Sequence, residues 1–433
     1  MTKPAKLKCF VSAITLTLVC LSAQTFAQSV VTTIPLGQSP TSVAVNPTTN
    51  LIYAACQSPS SLKVIDGATN SVTTTIPLNS NFFPPEGIAV NPTTNRIYVD
   101  DYVHGVWVLD GTTNAVVANI ALPIGVVKIA VNSVTNMVYA GNSVDRTISV
   151  IDGNINTPTE NSVIAVVPLP SYLGGDIVAN SVTNRIYVAT NGYDFATNKY
   201  RPITVIDGST NIVSASPLHN FMVGSLALNT VTNRAYMVNG SDGFHVEVLD
   251  ATDVSSLASI TLNFGLNRIA VNPTTNHIHV TEPFGASVWT IDGSTNTFMI
   301  RLWLGLYEPI PRSIAVNPVT SYVYVANVGF NPSFGGQSIS VIDDPPAPVV
   351  QLQALIEKVR SYNLAHGISN SLDAKLENAL DALESMNSGN TAVLCNKLDS
   401  FINQVDAQHE LTTAQSNDLI GAATRIKHTL ACD

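Results

Sequence analysis

Two histidines, His277 and His279 in "NHIHV", are the first residues in this chain whose type and spacing suggest chemistry. On an extended strand, residues two apart share a face, and paired imidazoles on one face can begin a transition-metal site. No third ligand can be assigned to them, so the ligand set is incomplete. Carboxylates are the second resource. Asp66, Asp110, Asp152, Asp207, Asp250, Asp292 and Asp343 each close a phrase of the type "VID" or "VLD". Acid–base catalysis needs two carboxylates held close together in unlike environments. Seven equivalent carboxylates, one per repeat, form no such pair. No Ser-His-Asp order and no CxxC or CxxCH spacing occurs. The sequence thus defends no catalytic residue, no metal site and no cofactor site.

These residues belong to a repeat, and the repeat positions them. Phrases like "VNPTTNRIYV" begin at Asn46, Asn91, Asn132, Asn180, Asn229, Asn272 and Asn317, about 45 residues apart, and one of the seven Asp follows each. A unit such as "GIAVN", "RIYVD", "GVWVLD" and "AVVANIALP" reads as four short strands. The first is apolar enough to be an innermost strand buried on both faces. "NPTTN" and "DGTTN" supply the turns, since Asn and Gly tolerate left-handed backbone. Seven such units match the blades of a propeller. Residues 29–37, "SVVTTIPLG", copy the fourth strand of other units, whereas the last unit stops at "DPPAP" without one. The expected fold is therefore an all-β seven-bladed β-propeller of four-stranded antiparallel blades, the N-terminal strand closing the last blade. His277 and His279 stand where other units have residues such as Arg185 and Tyr187, so they read as substitutions within the repeat.

The recurring "AVNPTTNxIYV…VIDGxTN…TIPLG" resembles the YVTN-type β-propeller repeat of secreted and surface-layer proteins, over roughly residues 29–343. The resemblance implies a seven-bladed propeller outside the cytoplasm and no single activity. The fifth unit departs from the pattern at Ala251, and the last at Ser321 and Asp344. After the Pro-rich stretch "DDPPAPVV" the periodicity becomes helical. Stripes at Leu352/Leu355/Ile356/Val359, Leu372/Leu376/Leu380/Leu383, Leu394/Leu398/Phe401/Ile402/Val405 and Leu419/Ala423/Ile426/Leu430 predict four amphipathic helices. Thr412 with Gln415 predicts a capping box. A small all-α helical bundle is expected there. Its "LIEKVRSYNLAHGI" and "CNKLDSFINQV" segments resemble the FIMAH domain of secreted bacterial proteins.

The organisation read from this is a signal peptide at 1–27, the propeller at 28–343, a Pro-rich linker at 344–350 and the helical bundle at 351–433. Lys3, Lys6 and Lys8 precede an apolar run from Cys9 to Ala23 and a small-residue site at Thr25 and Ala27, the pattern of an export signal. The mature chain is expected in the periplasm, outside the cell or on its surface, with no transmembrane segment. Charged residues make up 12% of the chain against about 25% in ordinary usage. With Lys+Arg 20 against Asp+Glu 30 and no dense basic run, nucleic acid is excluded as a partner. Cys395 and Cys432 are the expected disulfide, leaving Cys56 as a buried, inert thiol.

Residues that break the repeat are the informative ones. The connections between second and third strands, and between one unit's fourth strand and the next unit's first, share one face, the top. Four of five insertions fall there, and they carry Phe82, Phe83, Tyr193, Phe195, Tyr200, Tyr307, Phe330 and Phe334. Insertions in a repeat protein commonly mark its binding face. The residues ending each second strand are expected to point the same way: Cys56, Asp101, Asn142, Thr190, Asn239, Glu282 and Asn327. Glu86, Lys128, Asp176, Arg268 and Arg312 stand just before first strands, near the channel mouth. The expectation is a non-catalytic binding or scaffold protein whose top face engages a protein, peptide or glycan. A structural surface-layer component is the first alternative. A lactonase-like hydrolase is the second, for which only Glu282, Asn142 and Asp101 could serve as ligands. Neither ligand identity nor oligomeric state follows from the sequence.

Overall fold

The computed structural model describes residues 28–78, 84–262, 264–305, 310–329, 337–384, 391–430 and 432. The expected signal segment lies outside them. Two units are present, Gln28–Ala347 and Pro348–Asp433.

The first unit contains seven four-stranded antiparallel sheets. In blade 1 the strands are Ser39–Asn46, Leu51–Gln57, Ser61–Asp66 and Ser71–Pro77, from inner to outer. The seventh sheet is completed by Ser29–Pro35, which pairs antiparallel with Ser338–Asp343, Val30 opposite Ile342 and Ile34 opposite Ile339. This closure hides two sheet edges that would otherwise invite pairing with another chain.

Turn chemistry explains why each blade folds where it does. The Oδ1 of Asn46 accepts the N–H groups of Thr48 and Thr49 at 3.1 and 3.4 Å, and Asn50 ends the turn at φ 55°. Asp66 does the same for Ala68 and Thr69 at 2.7 and 3.1 Å, with Asn70 at φ 52°. The repeated Asn and Asp are turn-forming residues, as expected, and the Asn has a second duty. Asn46 Nδ2 donates to Asn95 Oδ1 of the next blade at 2.9 Å, Asn91 to Asn136 at 2.9 Å, and Asn317 to Asn50 at 2.9 Å across the closure. Asn132 and Asn229 make the same bond, so that five turns are bonded to their neighbours in this way.

The cores lie between blades. Tyr53, Leu62 and Val64 of blade 1 cluster with Ile88, Ile97 and Val99 of blade 2. Ile34, Ile339 and Val341 of blade 7 cluster with Val43, Ile52 and Cys56 of blade 1. Full burial of each such side chain stabilises the fold by about 1.5–3 kcal/mol. Burial also pushes the Cys56 thiol up to about 12, against the pull of Lys63, so it stays a thiol. The glycine after the turn Asp makes room for the neighbouring blade: a Cβ on Gly153 would stand 2.7 Å from Tyr98 Oη of the preceding blade, and where blade 5 has Ala251, Tyr187 Oη bonds its carbonyl instead. The inner strands depart from expectation. Ala44, Val45, Ala89 and Val90 are only half-buried, because the innermost strand has a free edge on the central channel, although both its faces pack on neighbouring blades, Ala44 towards blade 2 and Val45 towards blade 7.

The second unit is built from α1 (Pro348–Ser361), α2 (His366–Glu384), α3 (Ala392–Asp406) and α4 (Thr413–Thr429). Its core takes Leu352, Leu372, Leu398, Phe401 and Leu419 from the four expected stripes. The capping box at Thr412 and Gln415 is formed, and Cys395 is bonded to Cys432. α1 begins within the stretch read as linker, since proline is favoured in a helix's first turn. Asp344, also read as linker, is wholly buried in the propeller.

Candidate functional site

The inner strands converge on a cavity of about 210 Å³ at the channel, lined by residues from every blade. The residues four places before each inner-strand Asn are Ser42, Gly87, Lys128, Asp176, Ser225, Arg268 and Ser313, and all of them line it. One place earlier stand Glu86 and Arg312, which line it too. In five blades a β-bulge falls at this point, for example between Val126 and Lys128 and between Pro311 and Ser313. An extra residue there re-aims the side chains at the strand's start towards the mouth.

The charges are linked across blades. Asp176 Oδ1 lies 3.6 Å from Lys128 Nζ and 3.4 Å from Arg268 Nη1. Its Oδ2 accepts the Ser225 hydroxyl at 2.5 Å and the Leu226 N–H at 3.3 Å. Burial pushes this carboxyl up, but the two cations and the two hydrogen bonds together outweigh it and hold it below its ordinary value. Arg312 Nη2 lies 3.6 Å from Glu86 Oε1, both side chains nearly half exposed. Beneath Glu86, the buried Asp100 accepts the N–H groups of Glu86 and Gly87 at 2.8 Å each. Burial pushes the Asp100 carboxyl up to about 7, against those N–H groups and Lys128. The mouth therefore presents three cations and two carboxylates, with Asp100 supporting the loop below.

Other sequence-predicted residues lie elsewhere. Asp101, Asn142, Asn239, Glu282 and Asn327, expected at the rim, are all buried and none lines the cavity. Each is turned into its own hairpin. Asp101 accepts the N–H groups of Val103 and His104 and meets Trp107 Nε1 at 3.2 Å. Asn142 accepts from Val144 and Asp145 and donates to Pro123 O and Ile124 O. Asn239 is bonded to Ser241 and Glu247, and Asn327 to Ser338 and Ser340. Glu282 takes Ser287, Trp289 Nε1 and Arg301 at 2.6–2.9 Å. A residue ending the second strand lies beside both the turn and the third strand: at Asp101, Asn142 and Asn239 the N–H groups of the turn take its oxygen, and at Glu282 and Asn327 side chains of the later strands take its polar atoms. His277 and His279 both face the Asp344 carboxylate rather than open space. Among the described residues no three His, Cys, Asp or Glu are arranged to hold a metal ion.

On the top face, the blade 4 insertion lengthens a hairpin, Arg185–Asp194 with Lys199–Asp207. Phe195 is 89% exposed at its tip, with Tyr193 edge-on at 4.8 Å and Tyr200 5.0 Å from Tyr193. Phe82, Phe83, Tyr307, Phe330 and Phe334 lie outside the described residues. A second aromatic group escaped the sequence reading. Phe284 is 95% exposed in the second-to-third connection of blade 6, close to Gly265 and hence to Phe264, whose ring Arg301 covers at 4.8 Å. Its signal was available: "TEPFG" sets an aromatic at a tip where other units have residues such as Ser58, Val103, Val144 and Ser241, a substitution rather than an insertion.

No protein-family model matches the chain, and no curated protein matches it. Solved structures do, 1529 chains in number, as expected of a fold that carries many activities. One is a chain of Kuenenia stuttgartiensis hydrazine synthase, with a TM-score of 0.59 and 15% identity, covering 72% of this chain and 97% of that one. At that identity the likeness is one of fold alone.

Proposed function

We propose that the protein is an exported, non-catalytic binding scaffold whose propeller top face engages a protein, peptide or glycan partner at the cell envelope. The observation that carries this reading is the convergence at one mouth of Glu86, Lys128, Asp176, Arg268 and Arg312 from five different blades. The hairpin bearing Tyr193 and Phe195 rises on the same face, and exposed aromatics beside charge suit recognition. Export is supported by the basic and apolar N-terminal segment, by the Cys395–Cys432 disulfide and by the low charge content. Among the described residues no helix is long and apolar enough to cross a membrane. The YVTN-type repeat and the FIMAH-like bundle belong to the same surface-associated reading. Hydrazine synthase is an enzyme, but its chain shares only fold with this one. A lactonase-like site here would rest on Glu282, Asn142 and Asp101, which are buried and whose polar atoms are bonded within the propeller.

The full chain, immobilised, is expected to capture a component of the native cell envelope. A variant combining Arg268→Ala and Arg312→Ala with Tyr193→Ala and Phe195→Ala is expected to lose it. Equal capture by both proteins, or turnover of a lactone or ester panel by the wild type, overturns the reading.

A further inference from the structure

We propose that the channel mouth is a receptor for a carboxylate carried at the end of an extended peptide. The proposal rests on the binding reading above and names what that site takes.

A surplus of donors comes first. Asp176 is already shared among Lys128, Arg268, the Ser225 hydroxyl and the Leu226 N–H. Glu86 meets Arg312 only at 3.6 Å, with both side chains exposed by more than 40%. A guanidinium offers five N–H donors in a planar fork that fits a carboxylate with two bonds. The contacts within the mouth leave most of those donors to water.

The backbone adds to the surplus. In three blades the residue four places before the Asn accepts an N–H from the next blade's inner strand. Val43 N–H donates to Ser313 Oγ at 3.2 Å, Leu226 N–H to Asp176 at 3.3 Å, and Ile269 N–H to Ser225 Oγ at 3.3 Å. At three other blades the equivalent residue is Gly87, Lys128 or Arg268, none of which has an acceptor in its side chain. The corresponding residues, Ile129, Ile177 and Ile314, line the same cavity, and their N–H groups have no such side-chain acceptor. Ordered donors facing a small polar space, with cations beside them, are the chemistry of anion capture.

Size and lining decide what bears the anion. The cavity of about 210 Å³ is below the roughly 300–1,000 Å³ of pockets that enclose whole small ligands. It suits one functional group on a slender stem. Among the described residues no aromatic side chain lines it, so they offer a sugar ring no face to stack on, whereas a peptide end needs none. The chain's net charge of −10 repels acidic ligands at long range, which makes the recognition local to the mouth.

The test uses the full chain and fluorescein-labelled random hexapeptides, prepared with a free C-terminal carboxylate and in amidated form. Each is also made with and without Asp and Glu, and read by fluorescence anisotropy. The free-acid peptides are expected to bind, with amidation weakening them about tenfold or more, as loss of a charged hydrogen-bond partner does. Arg312→Ala and Arg268→Ala each weaken binding on the same scale, and Glu86→Gln, which releases Arg312, tightens it. A preference for Asp or Glu side chains irrespective of the terminus supports the same carboxylate chemistry from the second source. Equal binding of neutral amidated and acidic peptides overturns the proposal, as does wild-type affinity in both Arg variants. Uronic-acid oligosaccharides binding where the peptides do not overturns it as well. If no peptide binds but envelope capture still depends on the top face, the carboxylate assignment falls and the broader reading stands. If capture fails too, both fall.

Discussion

His279 Nε2 lies 3.0 Å from Asp344 Oδ2, and both side chains are wholly buried, although 65 positions separate them in the chain. Each departs from the repeat. His279 replaces the buried Tyr of the other six blades, and Asp344 replaces the turn Gly on which that Tyr packs. A third departure belongs with them. Ser321 stands where other blades have the Asn that receives the neighbour's amide, so Asn272 Nδ2 donates instead to Asp344 at 2.8 Å. His277 Nδ1 meets the other carboxylate oxygen at 2.7 Å. Gln28, just before the closing strand, donates to Asp344 and accepts from Thr290 at 2.6 Å. His279 Nδ1 meets the Thr290 hydroxyl at 3.1 Å, which ties the ring to Gln28 as well as to Asp344. Three substitutions that look independent are one interlocking set at the ring closure.

The set predicts non-additivity. Asp344→Gly or His279→Tyr alone is expected to destabilise the propeller by about 3–5 kcal/mol, the usual result of leaving a buried ionic group without its partner. The triple variant His279→Tyr, Ser321→Asn, Asp344→Gly rebuilds the standard blade contact and is expected to recover most of that loss. Denaturant midpoints measure it. A triple variant as unstable as the sum of its singles refutes the coupling.

Acid sensitivity follows from the same carboxylate. Burial alone would raise it, but His279 and His277 outweigh burial and hold Asp344 below its ordinary 3.8. A depressed carboxylate stabilises the fold above the unfolded chain's value and loses that contribution as pH falls below it. Wild-type stability is therefore expected to drop below about pH 4 more steeply than that of the triple variant. Parallel acid limbs in the two proteins would count against the network.

Asp100 has the opposite sign. Its folded value, about 7, lies above the unfolded 3.8, so its contribution is fully present below pH 3.8 and lost as pH rises through 7. Asp100→Asn keeps an acceptor for the Glu86 and Gly87 N–H groups and removes the charge. It is expected to stabilise the protein at pH 8, on the order of 2 kcal/mol, and to be nearly neutral at pH 4. Thermal unfolding at the two pH values checks this, and equal effects would refute it.

Much of the architecture could be read from the chain because a repeat states its own local rules. Blade count, closure by the "SVVTTIPLG" segment, the four helical stripes and the Cys395–Cys432 bond all follow from spacing and pattern. What neighbouring blades share was hidden. The Asn46–Asn95 and Asn91–Asn136 bonds join residues 49 and 45 positions apart, and each Asn already had a sufficient local reason to be there. The rim residues failed for a related cause. Position at a strand's end said which face Asp101 and Glu282 approach, but not that the turn, at Asp101, and the next strands' side chains, at Glu282, would take their polar atoms. The charged mouth was visible as residues, since Lys128, Asp176 and Arg268 interrupt one repeat position, while their pairing required the ring.

The disulfide predicts unequal behaviour of the two units. It closes a segment with a sequence separation of 37, which by chain entropy stabilises a fold by about 4 kcal/mol. Cys395→Ser with Cys432→Ser is expected to speed amide exchange in α3 and α4 by about a thousandfold. The inner-strand amides of the propeller should keep wild-type protection. Exchange accelerated in both units alike would contradict it.

Phe195 and Phe284 separate stability from recognition. Each is almost fully exposed, so replacement by Ser removes little buried area and should change stability by no more than about 0.5 kcal/mol. Their effects on envelope capture are expected to differ. Phe195 stands on a hairpin lengthened by insertion and supported edge-on by Tyr193, an ordered platform whose contact area is gained with little loss of freedom. Phe284 projects from a loop of ordinary length, near Gly265, with no ring of its own hairpin packed edge-on against it among the described residues. Phe195→Ser is therefore expected to weaken capture by about tenfold, a loss of more than 1 kcal/mol as at a binding hot spot, and Phe284→Ser by less. If Phe284→Ser weakens capture and Phe195→Ser does not, the contact surface is centred on blade 6 instead, beside Arg301 and Phe264. Because both variants keep the fold, either result reads recognition directly.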